Sequence, residues 1–158
     1  MHVVDRATDM APVELCSGGT FRLRTEEFKM LDLIRGNKND VKISRQDFNN
    51  YKGQLEAISR SQAVIEFEPD GTILCANDNF LSVVGYSLDE VKGQHHSIFM
   101  APEERTSREY SEFWKSLARG EFHSQQYRRV TKSGQEIWIQ ASYNPIFNSD
   151  GKVYKVVK

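Results

Sequence analysis

The 158-residue chain lacks several features, and each absence excludes a class of protein. Neither charge dominates, with 21 Lys and Arg against 22 Asp and Glu, which argues against binding nucleic acid through its phosphates. With only two cysteines, Cys16 and Cys75, we expect no disulfide framework and a reduced, cytoplasmic setting. No apolar run approaches the ~20 residues of a membrane span. The first residues also lack the layout of a signal peptide.

The motifs of common enzyme classes are missing as well. The sequence has no Gly-rich phosphate loop, no His-x-x-x-His metal spacing, and no Ser or Cys nucleophile in a local signature. We therefore expect a protein that is not an enzyme. A hydrophobic content of 39% and a charged content of 27% are typical of a folded chain, and the length suits one domain with appendages.

Two N-terminal segments are predicted to precede that domain. Residues 1–43 form an extension with a short amphipathic helix over residues 25–35. Residues 44–61 form a flanking helix capped by Ser44. Its apolar stripe consists of Phe48, Tyr51, Leu55 and Ile58. Because such a stripe must be covered, it packs either on its own domain or in a homodimer contact.

From residue 62 onward the pattern predicts an α+β domain. Two short strands are followed by three helices, the last opened by a capping box at Thr106, and then by a three-stranded meander. The predicted strands are 64–68, 72–76, 121–130, 135–147 and 152–157. Charged side chains on these strands are expected to be solvated: Glu66, Glu68, Arg128 and Arg129.

The order of short motifs resembles a PAS domain from about residue 58 to the last residue. The motifs are Asp70-Gly71-Thr72-Ile73, Ala76-Asn77-Asp78-Asn79-Phe80, Gly85-Tyr86-Ser87-Leu88-Asp89-Glu90 and Tyr143-Asn144-Pro145-Ile146. The run from Gly93 to Phe99 and the segment from Tyr110 to Trp114 are similar to PAS domains of soluble bacterial chemoreceptors, such as aerotaxis receptors and biofilm-dispersion proteins.

This resemblance implies a fold and a role. The fold is a five-stranded antiparallel sheet with short helices between strands 2 and 3, which enclose a pocket for a ligand, a cofactor or nothing. The role is that of a cytoplasmic sensory module of a methyl-accepting chemotaxis receptor. It signals by shifting its flanking helices, with a homodimer through the N-terminal helices and a downstream signalling domain. Because the chain stops at Lys158, inside the last strand, we expect a piece of a longer protein.

Haem b is the first cofactor that the resemblance implies, with oxygen or another gas as the signal. A neutral imidazole is a good axial ligand for haem iron. The candidates are His95 and His96, and because neighbouring helical residues point about 100° apart, only one can face the pocket. We favour His96. Tyr110 can also ligate iron, although the absence of a His on the long helix disfavours that geometry and Tyr110 belongs to the core stripe of the helix. Trp138 offers an N–H to bound oxygen, but packing explains it at least as well.

FAD is the second cofactor implied. A flavin needs an aromatic surface, amide groups along its ring edge, and polar or cationic contacts to its phosphates. Trp114, Asn77, Asn79, His96 and Arg105 offer these groups. For Trp114 the alternative is a place in the core stripe of its helix.

A cofactor-free dimerisation or partner-binding module is the third alternative. LOV-type photochemistry is not expected, since nothing matches the reactive Asn-Cys-Arg-Phe setting. Cys75 lies at a strand end, where a small buried side chain is the simplest interpretation.

Overall fold

Five antiparallel strands form one sheet in the computed structural model, which describes residues 44–158. The strands are β1 (Ile65–Phe67), β2 (Ile73–Ala76), β3 (His123–Val130), β4 (Glu136–Phe147) and β5 (Val153–Val157). Their spatial order is β2-β1-β5-β4-β3, which places β1 and β5 side by side within the sheet. The predicted α+β class and five-stranded antiparallel sheet are confirmed.

Four α-helices and one 3₁₀ helix accompany the sheet in the described part of the chain. They are α1 (Arg45–Ser61), α2 (Asp78–Val84), α3 (Leu88–Val91), the 3₁₀ helix (His96–Phe99) and α4 (Arg108–Ala118). All except α1 lie between β2 and β3, as predicted. The extension 1–43, with its predicted helix over 25–35, lies outside the described residues. Within residues 44–158, no helix is both long and apolar enough to cross a membrane.

Of the predicted helix N-caps, those of α1 and α3 are confirmed and that of α4 is wrong. The Ser44 hydroxyl accepts a hydrogen bond from the Asp47 N–H at the start of α1, and a capping box joins Ser87 and Glu90 at the start of α3. The box predicted at Thr106 is wrong. Ser107 keeps the extended backbone of a cap, and its hydroxyl accepts from the Tyr110 N–H at 3.1 Å, so α4 begins one residue later.

The core lies between the helices and the face of the sheet that we call the inner face. Side chains from the strands and from α2, α3 and α4 form one cluster there, including Phe67, Ile73, Phe80, Val91, Leu117, Tyr143 and Val156. The β1–β2 turn fits closely against α4, since a Cβ on Gly71 would lie 2.7 Å from Trp114. With its φ of +95°, this position therefore requires glycine.

Two of the charges predicted to be solvated are buried. Glu66 is 1% exposed on the opposite, outer face, where Lys155 Nζ donates to its Oε2 at 2.9 Å. Arg129 is 4% exposed and points to the inner face. The prediction failed for Glu66 because Lys155 on the neighbouring β5 pairs with it, and for Arg129 because the residues of β3 alternate between the two faces.

Cys75 is buried in β2, as predicted, and it is disulfide-bonded. Two cysteines exclude a framework of several bridges but still allow one bridge.

Candidate functional site

His96 lies at the centre of the domain, enclosed by aromatic rings. Its side chain is fully buried at the start of the 3₁₀ helix. Five rings surround it at centroid distances of 5.4 to 6.0 Å: Phe67, Phe99, Tyr110, Trp114 and Tyr143. The backbone fixes this position, since the His96 N–H donates to the carbonyl of Gly71 in the β1–β2 turn at 2.8 Å.

Hydrogen bonds link His96 to a helix on one side and to the sheet on the other. Its Nδ1 lies 2.8 Å from the Tyr110 hydroxyl on α4, and its Nε2 lies 3.0 Å from the Tyr143 hydroxyl on β4. The Tyr143 hydroxyl also accepts from Arg129 Nη2 on β3 at 2.9 Å. In either tautomer one imidazole nitrogen donates and the other accepts, so neither is free.

Burial keeps the His96 imidazole and the Tyr110 phenol of this network uncharged. It holds the pKa of His96 well below the usual 6.5, and electrostatic interactions with Arg129, Lys158 and His95 lower that pKa further. Burial also raises the pKa of Tyr110 to about 12. At neutral pH the imidazole and this phenol are therefore both neutral.

His95 lies at the edge of the domain rather than inside it. Its Nδ1 accepts from the Ser97 N–H at 3.2 Å, so its Nε2 carries the proton and donates to the Asp70 carbonyl at 2.9 Å. Of the two neighbouring histidines, His96 is the one that faces the interior.

Two other predicted residues, Tyr110 and Trp114, join His96. Both line a surface groove of about 560 Å³ together with His95, Arg105 and Lys115. Trp114 is packed in the core, and its buried Nε1 has no hydrogen-bond partner. Arg105 stays outside the network, where its Nε donates to the Met100 carbonyl at 3.1 Å.

The structure places Asn77 and Asn79 against the end of α1. Asn77 Oδ1 caps α2 and accepts from the Val64 N–H at 2.9 Å, just before β1. The Nδ2 groups of both asparagines donate to the carbonyls of Ser59 and Gln62, at the C-terminal end of α1. These amides therefore join α1 to the domain rather than facing the interior.

Trp138 lies on the outer face and is 69% exposed. It is five residues from Tyr143 on β4, and an odd separation along a strand places two side chains on opposite faces. The sequence therefore contained the information that separates Trp138 from the interior.

Three interior residues were not predicted: Tyr143, Arg129 and Lys158. Strand alternation would have found two of them, since Arg129 shares a face with buried Tyr127 two residues earlier, and Tyr143 shares one with Ala141. Lys158 gave no such signal. Its Nζ lies 5.1 Å from the ring centroids of both Phe80 and Tyr143.

A family model described as PAS fold matches residues 73–158, more than half of the chain. The chain belongs to the PAS family. This PAS domain is 40% identical over 136 residues to the biofilm dispersion protein BdlA of Pseudomonas aeruginosa, a match that covers 86% of this chain and 32% of the relative. It is also 32% identical over 78 residues to the aerotaxis receptor of Escherichia coli, covering 49% of this chain and 15% of the receptor. The predicted likeness to chemoreceptor PAS domains is confirmed.

A solved structure supports the same fold. It is described as "Flavin Analogue Sheds Light on Light-Oxygen-Voltage Domain Mechanism" and matches with a TM-score of 0.56 and 26% identity, over 66% of this chain and 80% of that one. The present chain spans about a third or less of the length of the curated relatives that it matches.

Proposed function

We propose that this chain is the sensory PAS module of a chemoreceptor-type signalling protein, without a resident cofactor, and that it reads its signal in the interior around His96. One observation carries the proposal. The His96 ring bonds a tyrosine of α4 on one side and a tyrosine of β4 on the other, at 2.8 and 3.0 Å. A change at this ring therefore alters the contact between the helices and the sheet.

Haem, the first choice from the sequence, does not fit this packing. An imidazole that ligates iron must offer a free ring nitrogen. Both nitrogens of His96 and both nitrogens of His95 are hydrogen-bonded, and the Tyr110 hydroxyl is held by His96. Oxygen sensing through haem b therefore receives no support from the interior as it is packed.

FAD is the second candidate, and the comparisons favour it more than the packing does. The solved structure that is 26% identical is described with a flavin analogue. However, the amides of Asn77 and Asn79 are bonded to the end of α1, and the Arg105 Nε is bonded to a backbone carbonyl. A flavin in the interior would also displace the packed rings of His96 and Trp114.

The output is proposed to pass through α1 to a downstream signalling domain. The Asn77 side chain connects the end of α1, the start of β1 and the cap of α2. Two apolar side chains of α1, Tyr51 and Ile58, are more than half exposed. A second copy of the chain, pairing along α1, would cover them. A cytoplasmic location and a non-enzymatic role are part of this proposal.

An absorption spectrum tests the proposal directly. The purified chain is incubated with hemin or with FAD in separate samples, and unbound cofactor is removed. We expect neither a Soret band nor the visible bands of oxidised flavin. A stoichiometric Soret band lost in His96→Ala but retained in the matched control His95→Ala would establish haem instead. Retained flavin bands would establish FAD.

A further inference from the structure

Two basic side chains, Arg129 and Lys158, lie in the PAS interior, and neither has an acidic partner among the described residues. Arg129 donates to the Arg128 carbonyl and the Tyr143 hydroxyl, and its guanidinium stacks 4.9 Å from the Tyr127 ring centroid. Lys158 Nζ lies over the rings of Phe80 and Tyr143, 5.1 Å from each centroid, and burial lowers the pKa of this amine. Among residues 44–158, neither forms an ion pair with a carboxylate. Burying a charge costs several kcal/mol unless it is paired, so this arrangement calls for an explanation.

Unused hydrogen-bond donors gather in the same place. Among the described residues, five buried side-chain atoms lack a partner, and four of them can donate: Arg129 Nε, Lys158 Nζ, Trp114 Nε1 and the Tyr127 hydroxyl. All four residues pack around Tyr143. The ring centroids of Tyr127 and Trp114 lie 5.2 and 6.3 Å from that of Tyr143, Lys158 Nζ lies 5.1 Å from the same centroid, and Arg129 bonds the hydroxyl. These four donors have no negatively charged acceptor among the described residues.

We propose that the interior binds a small organic carboxylate between Arg129 and Lys158, beside Tyr143. The inference rests on the proposed function, because it names the class of ligand that the sensory interior takes.

The surroundings favour a carboxylate with an apolar or aromatic body. A guanidinium offers two parallel N–H groups that match the two oxygens of a carboxylate. Most other contacts around this group are aromatic: Tyr127, Tyr143 and Phe113, whose ring centroid lies 5.0 Å from that of Tyr143. Inorganic phosphate would leave those rings without an apolar partner and would need donors for four oxygens.

The groove of about 560 Å³ provides a route to this position. Tyr110 and Trp114 line the groove, and both pack directly against His96. Movement of these two side chains would open the interior from the surface.

Binding would also change the hydrogen-bond chain. The Tyr143 hydroxyl is now the side-chain acceptor for Arg129 and the partner of His96. A carboxylate that takes over the Arg129 donors would release this hydroxyl. Because His96 also holds Tyr110 on α4, the release would shift the balance between two arrangements of helix and sheet.

Benzoate, phenylacetate, acetate and inorganic phosphate serve as probes in thermal unfolding of the 158-residue chain. We expect benzoate and phenylacetate to raise Tm saturably, acetate to do so weakly, and phosphate to have no effect. Arg129→Gln should weaken benzoate binding about tenfold or more, since it removes a charge-assisted bond. Arg128→Gln is the matched control at the neighbouring position and should bind like the parent.

A second variant keeps the inference testable if Arg129→Gln fails to fold. Arg129→Lys keeps the charge but loses the planar fork, and it should fold while binding benzoate more weakly than the parent. The inference is wrong if no carboxylate raises Tm, or if the parent and both Arg129 variants respond equally. A flat cofactor spectrum with no carboxylate response would overturn this inference alone, whereas a retained cofactor would overturn the proposed function.

Discussion

The two faces of the sheet both bury charge, but only one of them neutralises it. On the outer face, Lys155 Nζ lies 2.9 Å from Glu66, and both side chains are buried. On the inner face, Arg129 and Lys158 are buried among aromatic rings without a carboxylate in the described part of the chain. Once Glu66 and Lys155 are both present, the stabilisation of each charge by the other is enough to explain the outer pair. Such pairing does not account for the two inner basic groups, although burial lowers the pKa of Lys158, which is why we assign them to a ligand.

The largest effect is expected on the outer face. Replacing Glu66 with Gln leaves Lys155 buried without its partner, and breaking a buried pair in this way costs about 3–5 kcal/mol. Urea unfolding monitored by circular dichroism measures the loss. The double variant Glu66→Met with Lys155→Met should recover most of it, because both charges are then removed. A loss below about 1 kcal/mol in the single variant would show that the pair is not buried as described.

The second effect concerns pH and the neutral imidazole of the inner face. Because burial and nearby positive charge depress the pKa of His96, the unfolded chain takes up a proton below pH 6.5 that the folded chain does not. His96 therefore leaves stability unchanged above pH 6.5 and lowers it as pH falls below that value, by up to about 1.4 kcal/mol per pH unit.

Urea unfolding measured between about pH 7.5 and pH 5, a range that spans the ordinary histidine pKa, checks this expectation. His96→Gln should flatten the slope below pH 6.5, whereas His95→Gln, at the edge of the domain, should keep it. Equal slopes in His96→Gln and in the parent would contradict a buried neutral imidazole.

A smaller effect of opposite sign is expected at Arg129. Replacing this cation with Met removes a buried, unpaired charge and loses one bond to the Tyr143 hydroxyl. The two effects nearly offset each other, so the ligand-free variant should match the parent or gain about 1 kcal/mol. Equilibrium urea unfolding, with Arg128→Met as the control, provides the measurement. A loss of more than about 2 kcal/mol would make Arg129 a structural residue and remove the contrast between the faces.

The smallest effect is expected at Trp138. Its side chain is exposed on the outer face, away from the inner basic groups, so Trp138→Ser should change stability by less than about 0.5 kcal/mol. Benzoate titration of this variant should give the parental affinity. A large loss of affinity would place the binding site on the outer face instead.

The fold was predictable from the sequence because its signals are local. Turn residues, capping boxes and strand-length apolar segments gave the order of elements, and the only misplaced cap, at Ser107, lies beside another hydroxyl residue, Thr106. Strand alternation also separates Arg129 and Tyr143 from Trp138, although the prediction did not apply it. These parts of the site could have been predicted.

Other parts of the site depend on tertiary contacts that no local pattern reveals. The backbone bond from His96 to Gly71 decides which of the two histidines turns inward. Asn77 and Asn79 carry amide groups suited to a cofactor, yet the end of α1 approaches them across a stretch of about twenty residues and takes those bonds. Lys158 meets Phe80 only after β5 inserts beside β1.

Nuclear magnetic resonance of the arginine Nε–H groups tests the central claim most directly. In the ¹⁵N-labelled chain, the Arg129 Nε–H has no partner, whereas Arg128 already pairs with Glu104 and Glu136 through its terminal nitrogens. We predict that benzoate shifts the Arg129 signal saturably and leaves the Arg128 signal in place. An Arg129 signal that stays unchanged at high benzoate concentration would contradict the assignment of the inner basic groups to a ligand.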